Sequence, residues 1–293
     1  MKSGFVSIIG RPNVGKSTLL NSLIDEKVAI VSKVPGTTRN VIQGIYNEEG
    51  YQIVFIDTPG IGKPIDKLGR HLNKEAIALT KDVDAVLFMV DVSTGYGRGD
   101  KFILNSLKTN DVPIILVLNK IDKISNEKLL KNIDKIRDDH SFAEIVPISA
   151  MNKDNTDRLL EVIKKYLTDD VKYFDEDEYT SAPASFIASE IVREKLFELV
   201  YEELPHGITC YTESFKVAKN IIHISVNIIV ERDSFKKIII GRNGTVIKQV
   251  GTNARLELEK LFGKKVYLET YVKTIKNWKD KEKYFKELGF RNN

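Results

Sequence analysis

The sequence predicts an α/β fold for its N-terminal half, with a mostly parallel sheet covered on both faces, followed by a separate α+β domain. Two patterns and one shift of charge carry this reading. Apolar, β-rich runs recur at Phe5–Ile9, Ile53–Ile56, Ala85–Val90, Ile114–Leu118 and Ile145–Ile148, and segments with helical patterning such as Asp100–Thr109 and Glu127–Asp139 separate them. Continuous apolar strands between amphipathic helices belong to parallel sheets, whose crossover helices bury both faces. Past a helical pattern ending near Leu167 the order changes to helix-like Ser185–Glu203, strand-like Thr209–Lys216 and Ile221–Val230, a helix over Thr245–Leu261 and a strand at Val266–Val272. Helices and strands no longer alternate as βαβ units there. Between the halves lies a stretch carrying Asp175-Glu176-Asp177-Glu178 and Pro183, whose composition predicts a linker. The expected division is therefore 1–170, a linker at 171–184, and 185–293, the last ending in a C-terminal helix.

With 293 residues and 42% hydrophobic content, the chain can build two cores. Its net charge of +4, from 45 basic and 41 acidic residues, says little about partners. The distribution says more: residues 232–293 hold 16 basic against 7 acidic residues, a net +9, whereas 171–231 hold 5 against 11, a net −6. A basic terminal segment on an otherwise balanced chain suits nucleic acid or an anionic surface. The single cysteine, Cys210, leaves no intramolecular disulfide and no thiolate metal cluster to expect, and fits a reducing compartment. No run of 18 apolar residues predicts a membrane span, and a strand beginning at Phe5 leaves no room for a signal or transit peptide. A soluble, cytoplasmic monomer is the expectation.

Gly10-Arg11-Pro12-Asn13-Val14-Gly15-Lys16-Ser17 fits G-x-x-x-x-G-K-[ST], directly after the first strand and before a helix near Thr18. In that context the glycines let backbone N–H groups wrap the α- and β-phosphates of a nucleotide. Lys16 reaches the β- and γ-phosphates, and the Ser17 hydroxyl ligates Mg²⁺. Asp57-Thr58-Pro59-Gly60 follows the strand Ile53–Ile56, which puts a carboxylate at a strand's C-terminal edge, where such sheets bind ligands. Asp57 is thus expected to hold Mg²⁺ through water, and the Gly60 N–H to meet the γ-phosphate. Asn119-Lys120-Ile121-Asp122 ends the strand Ile114–Leu118. A carboxylate at Asp122 accepts from the N1–H and N2 amine of guanine, whereas adenine would leave that buried charge unpaired, so GTP is preferred over ATP. Ser149-Ala150, after Ile145–Ile148, fits a supporting loop whose backbone meets guanine O6.

These elements in this order resemble the translation-factor-related GTPases, over about residues 1–170. The resemblance implies that Pro35-Gly36-Thr37-Thr38-Arg39 is the switch I segment, with Thr38, or its neighbour Thr37, as a Mg²⁺ ligand in the GTP state. Lys16, Thr38 and Gly60 are then the groups that act on the γ-phosphate. Ile61 stands where Ras-like proteins carry a glutamine that orients the attacking water, and an aliphatic side chain cannot do so. Slow intrinsic hydrolysis follows, and neither Arg11 nor Arg39 is marked by spacing as an arginine finger rather than a solvent-facing side chain. In related GTPases lacking that glutamine, the residue at the position of Asn13 helps coordinate K⁺, which implies K⁺ as an activating ion.

Ile238-Ile239-Ile240-Gly241-Arg242-Asn243-Gly244-Thr245-Val246-Ile247-Lys248 is an apolar run, a G-x-x-G turn and a helix start. With the α-β-β-α-GxxG-α-β order and the +9 charge, it resembles a type II KH module, in which Ile240, Gly241, Arg242, Asn243, Gly244, Ile247 and Lys248 would contact RNA. A GTPase domain joined to such a module resembles the Era family of bacterial small-subunit maturation GTPases over nearly the whole chain, as does Glu203-Leu204-Pro205-His206-Gly207. That resemblance implies binding to the 3′ end of 16S ribosomal RNA and to the 30S subunit, and peripheral association with the inner face of the membrane. The competing readings are a tRNA-modification GTPase, which would need a modification domain and a catalytic cysteine, and a membrane-associated signalling GTPase using the basic tail.

Overall fold

A computed structural model describes every residue except 33, 35, 109–110, 201–206, 289 and 291–293, and the side chains of 286 and 287. Pro35, the residues Glu203 to His206, and the ends of the helices expected to reach Thr109 and Glu203 therefore lie outside the described residues. The chain forms two compact units. One comprises Met1–Ala29, Thr38–Ile65 and Gly69–Ser181; the other comprises Ala182–Asn293 with Ile30–Thr37 and Asp66–Leu68.

In the first unit the elements run β1 (Lys2–Gly10), α1 (Lys16–Ile24), β2 (Ile42–Glu48), β3 (Tyr51–Asp57), α2 (Lys67–Ala78), β4 (Ala85–Asp91), α3 (Arg98–Leu107), β5 (Ile114–Asn119), α4 (Asn126–Ile136), β6 (Glu144–Ile148) and α5 (Thr156–Lys164). The sheet order is β2-β3-β1-β4-β5-β6, parallel throughout except for the antiparallel β2–β3 pair. Every residue of β4 and β5 is buried, as central parallel strands between helical layers must be. Five strands were expected from apolar runs; β2 is the sixth. Its sequence, Ile-Gln-Gly-Ile-Tyr-Asn-Glu, is only partly buried, because an edge strand meets a helix on one face and needs no continuous apolar run.

The acidic segment expected as a linker is held on this unit. Asp169 and Ser3 exchange backbone hydrogen bonds at 2.9 and 3.1 Å, the Gln52 side chain accepts from Tyr173 N and Phe174 N, and Ile45 N donates to Tyr179 O at 3.0 Å. The Thr180 hydroxyl donates to Gln43 O at 2.8 Å. This strap covers the free edge of β2, where unpaired backbone groups would otherwise invite association. Composition alone gives no sign of a strand edge that wants a partner.

The second unit contains α6 (Ala184–Val200), β7 (Ile208–Val217), β8 (Ile221–Val230), α7 (Asp233–Ile240), α8 (Thr245–Phe262), β9 (Lys265–Thr274) and α9 (Lys283–Glu287). The sheet order is β7-β8-β9, with β7 antiparallel and β9 parallel to β8. One face buries Ile222, Ile224, Val226, Ile228 and Val230 of β8 against Ile191, Leu196, Val250, Ala254 and Leu258 of α6 and α8. Among the described residues, no helix is long and apolar enough to cross a membrane.

Candidate functional site

β1 ends at Gly10, and the chain reverses through Arg11–Gly15 into α1. Gly15 has φ +104°, a conformation L side chains rarely adopt, and a Cβ there would overlap the Asn119 amide. A Cβ on Gly10 would lie 2.7 Å from Met89 O. The loop thus packs against strand ends by backbone alone, leaving its N–H groups at the start of α1 for an anion. Asn13 is also left-handed, at φ 63°, and Val14 is buried.

Lys16, on the first turn of α1, is 5% exposed and donates to Arg11 O at 3.3 Å. Burial pulls its pKa down, against the opposing pull of Asp57. Asp57, at the end of β3, is fully buried; burial pushes it up to about 6, against the attraction of Lys16 and the hydrogen bond from Ser17. The Ser17 hydroxyl donates to Asp57 Oδ2 at 2.6 Å and lies 2.9 Å from Thr38 Oγ1. Asp57 Oδ1 is buried and has no hydrogen-bond partner. An orphaned carboxylate oxygen beside two hydroxyls is a set of hard oxygen donors that fits a divalent cation such as Mg²⁺. Both buried charges are pushed towards neutrality, so a cation at Asp57 and an anion at Lys16 would each relieve a desolvation cost.

The two switch threonines are told apart by geometry. Thr38 stands beside Ser17, whereas the buried Thr37 donates back to Val34 O at 2.5 Å. In the turn after β3, the Thr58 hydroxyl donates to Ile8 O at 2.7 Å, so its side chain is spent on the sheet. Pro59 is buried, and a Cβ on Gly60 would lie 2.7 Å from Pro12 Cα, which brings this turn against the phosphate loop. Ile61 N donates to Gly10 O at 3.1 Å, and its side chain, 1% exposed, packs with Ile9, Val90 and Val92. The residue in the glutamine's place is a core residue.

On the far side of the loop, Asn119 Nδ2 donates to Val14 O and Asn119 Oδ1 accepts from Ala150 N. Lys120, at φ 70°, donates to Asn13 O at 2.7 Å and to Asp91 Oδ2 at 2.6 Å. Ile121 packs into the apolar cluster under β4 and β5. The Asp122 carboxylate accepts from the Ser149 hydroxyl at 2.6 Å. It is exposed rather than buried, which corrects the expectation of a buried charge: Asp122 sits in a short helical turn beyond the strand end, and desolvation there has to come from the base itself.

Neither arginine is a free solvent-facing side chain. Arg11 Nε donates to the fully buried Asp100 at 2.7 Å and its guanidinium also reaches Gly95 O; Arg39 is 6% exposed. Sequence reading missed two supporting acids, Asp91 behind Lys120 and Asp100 behind Arg11. Burial would raise Asp91, but hydrogen bonds from Lys120 and Ser93 outweigh it and hold the carboxyl low. Asp91 was findable, since it ends a strand directly beside Asn119 in parallel register. Asp100 also accepts from Gly97 N at the start of α3, and such a helix-start acid looks like an ordinary cap.

In the second unit, α7 ends at Ile240 and α8 starts at Thr245. Gly241 (φ 72°), Asn243 (φ 53°) and Gly244 (φ 76°) are all left-handed, and a Cβ on Gly241 would lie 2.9 Å from Val246 N. Arg242, Asn243 and Lys248 are exposed, while Ile240 and Ile247 are half-buried beside them. Two helices thus meet at a bare backbone turn flanked by cations and aliphatic surface.

Comparison with known proteins places both units. A family model described as a 50S ribosome-binding GTPase matches residues 5–120, and a KH domain model matches residues 203–279. GTPase Era of Clostridium botulinum is 48% identical over 291 residues, 99% of each chain. Two solved structures superpose over the full length of both chains. Era from Aquifex aeolicus, a tyrosine-to-alanine variant bound to GDP and AlF4⁻, has a TM-score of 0.95 and 41% identity. Era in complex with MgGDPNP and nucleotides 1506–1542 of 16S ribosomal RNA has a TM-score of 0.96 and 42% identity.

Proposed function

Because the chain belongs to the Era family of GTPases, we propose that it is a GTP-hydrolysing switch that binds the 3′ end of 16S ribosomal RNA and acts on the assembling 30S subunit in the cytoplasm. One observation carries the reading. Ser17, Thr38 and the orphaned carboxylate oxygen of Asp57 converge beside Lys16, in a chain that also carries an exposed basic G-x-x-G turn between helices.

In this reading the N–H groups of the loop from Gly10 to Ser17 hold the phosphates, and Lys16 regains its full charge on meeting them. Ser17, Thr38 and Asp57 are the residues that would hold Mg²⁺, whose chemistry is to neutralise charge between the β- and γ-phosphates. The Gly60 N–H meets the γ-phosphate. Asp122 reads guanine, Ser149 keeps its carboxylate oriented, and Asn119 fixes the distance between the base loop and the phosphate loop. With Ile61 in the core, no side chain at that position orients the attacking water, so turnover is slow until an ion or a partner contributes. K⁺ held near Asn13 is the ion proposed. Arg242, Asn243 and Lys248 meet the RNA backbone at the turn that Gly241 and Gly244 keep open.

The test is hydrolysis of GTP by the purified chain together with co-sedimentation, with and without GTP, against 30S subunits and against anionic lipid vesicles. Sedimentation with subunits is the expected result. Binding to vesicles alone would favour the signalling reading and overturn this one.

A further inference from the structure

The sheet of the second unit has a second face. β8 alternates strictly: Ile222, Ile224, Val226, Ile228 and Val230 point into the core, so His223, Ser225, Asn227 and Ile229 point the other way, where His223 is exposed and Ser225, Asn227 and Ile229 are buried. Register adds their neighbours. His223 lies opposite Lys216 of β7 and Tyr267 of β9, and Asn227 lies opposite Tyr211 and Tyr271. Two rows result, Lys216–His223–Tyr267 and Tyr211–Asn227–Tyr271.

The aromatic groups on this face are unusually open for their size. Tyr267 is 51% and Tyr271 47% exposed, and the His223 and Tyr267 rings lie 5.6 Å apart at 54°. Lys265 flanks Tyr267 along β9 and Lys273, 3.7 Å from Glu213, flanks Tyr271, while Glu269 stands between the two tyrosines and accepts from the Tyr267 hydroxyl at 3.4 Å. Between the two tyrosine positions of the second row, Asn227 is 0% exposed, yet neither its Nδ2 nor its Oδ1 has a hydrogen-bond partner. A buried amide left with both ends unmatched bears the desolvation cost of each group with no hydrogen bond in return. Such a group in a strand interior is a poor structural choice, and it carries the donor–acceptor pair that matches a base edge.

We propose that this open face is a second contact for single-stranded RNA, in which Tyr267 and Tyr271 stack on bases and Asn227 hydrogen-bonds the edge of a base inserted beside Tyr271. Aromatic rings on an exposed sheet recognise unpaired bases because every base has a π face, and the lysines beside them neutralise the backbone. The two tyrosines are four residues apart on β9, about 13 Å at ~3.3 Å per residue, so they meet different bases of one strand. Asn227 is fully buried, so a base reaches it only when the side chains over it swing aside, a motion open to exposed side chains on the ps–ns scale. The inference rests on the proposed RNA-binding function and deepens it: the G-x-x-G turn grips phosphates, and this face grips bases.

The experiment uses the full chain and an RNA of 16S nucleotides 1506–1542, titrated at two salt concentrations. Tyr267→Ala with Tyr271→Ala should weaken binding by ~10-fold or more with an unchanged salt slope, because stacking releases no counterions. Tyr267→Phe with Tyr271→Phe should retain wild-type affinity, since the rings remain. Asn227→Leu should weaken binding while its melting temperature holds or rises, an outcome that a merely structural asparagine would not give. Wild-type affinity in the alanine pair and in Asn227→Leu, with binding still abolished by Arg242→Asp plus Asn243→Asp, would overturn the open-face contact and leave the RNA-binding function standing. Undiminished binding in all of these variants would overturn the open-face contact and the assignment of the G-x-x-G turn alike.

Discussion

The Asn119 amide donates to the Val14 carbonyl at 2.8 Å and so ties the end of β5 to the phosphate loop, while its oxygen accepts from Ala150 N at 3.0 Å. One buried side chain thus ties together three of the loops that form the nucleotide site. Asn119→Ala leaves a buried carbonyl and a buried N–H without partners. At about 1–3 kcal/mol for each, it should lower stability by roughly 2–6 kcal/mol and weaken GTP and GDP alike. Denaturant melts with and without GDP check this, and unchanged stability would show that the two loops are held by other contacts.

Asp122→Asn should move base preference from guanine towards xanthine. The amide no longer accepts from both N1–H and the N2 amine but can donate to a carbonyl at position 2. With each charge-assisted hydrogen bond worth about 1.5–3 kcal/mol, GTP affinity should fall by at least ~100-fold. Competition between GTP and XTP reads this directly. Full GTP affinity in the variant would remove Asp122 from base reading.

Lys16→Ala should abolish tight GTP binding without unfolding the unit. Lys16 is 5% exposed and burial lowers its pKa, so the ligand-free protein loses no favourable charge when it is removed. The melting temperature without ligand should hold or rise, and the upward shift produced by GTP should vanish. A wild-type shift on adding GTP would take Lys16 out of the phosphate site.

Turnover should be faster in KCl than in matched NaCl. The motive is the pairing of Asn13 in the phosphate loop with Ile61, which is buried in the core and cannot orient water. Equal rates of phosphate release in the two salts would refute the proposal.

Arg242→Asp with Asn243→Asp places negative charge on two exposed residues at the turn between α7 and α8. Affinity for single-stranded RNA from the 3′ end of 16S ribosomal RNA should fall steeply. Its salt dependence should flatten, the slope falling by about one for each phosphate that the variant no longer neutralises. GTP hydrolysis by the free protein should stay near wild type. Undiminished RNA binding with an unchanged slope would make the turn a plain helix connection.

The parallel sheet, the order of the nucleotide motifs and the change of architecture near residue 184 are legible in the chain alone. Each is written in local chemistry: continuous apolar strands, glycines before a Lys-Ser pair, and the Asp, Asn and Ser that follow strand ends. That Ile61 cannot act as a glutamine does is equally a matter of residue type. Which of Thr37 and Thr38 stands beside Ser17 needed the folded molecule, because both are threonines in one loop and the choice depends on which way each side chain turns. The same holds for Asp91 and Asp100, found through Lys120 and Arg11 across 29 and 89 residues of sequence. It holds too for the acidic strap, since a free strand edge exists only once the sheet is built. The unmatched Asn227 amide is visible only in the fold as well: an unsatisfied hydrogen bond is a property of surroundings, and no residue type carries its surroundings in its name.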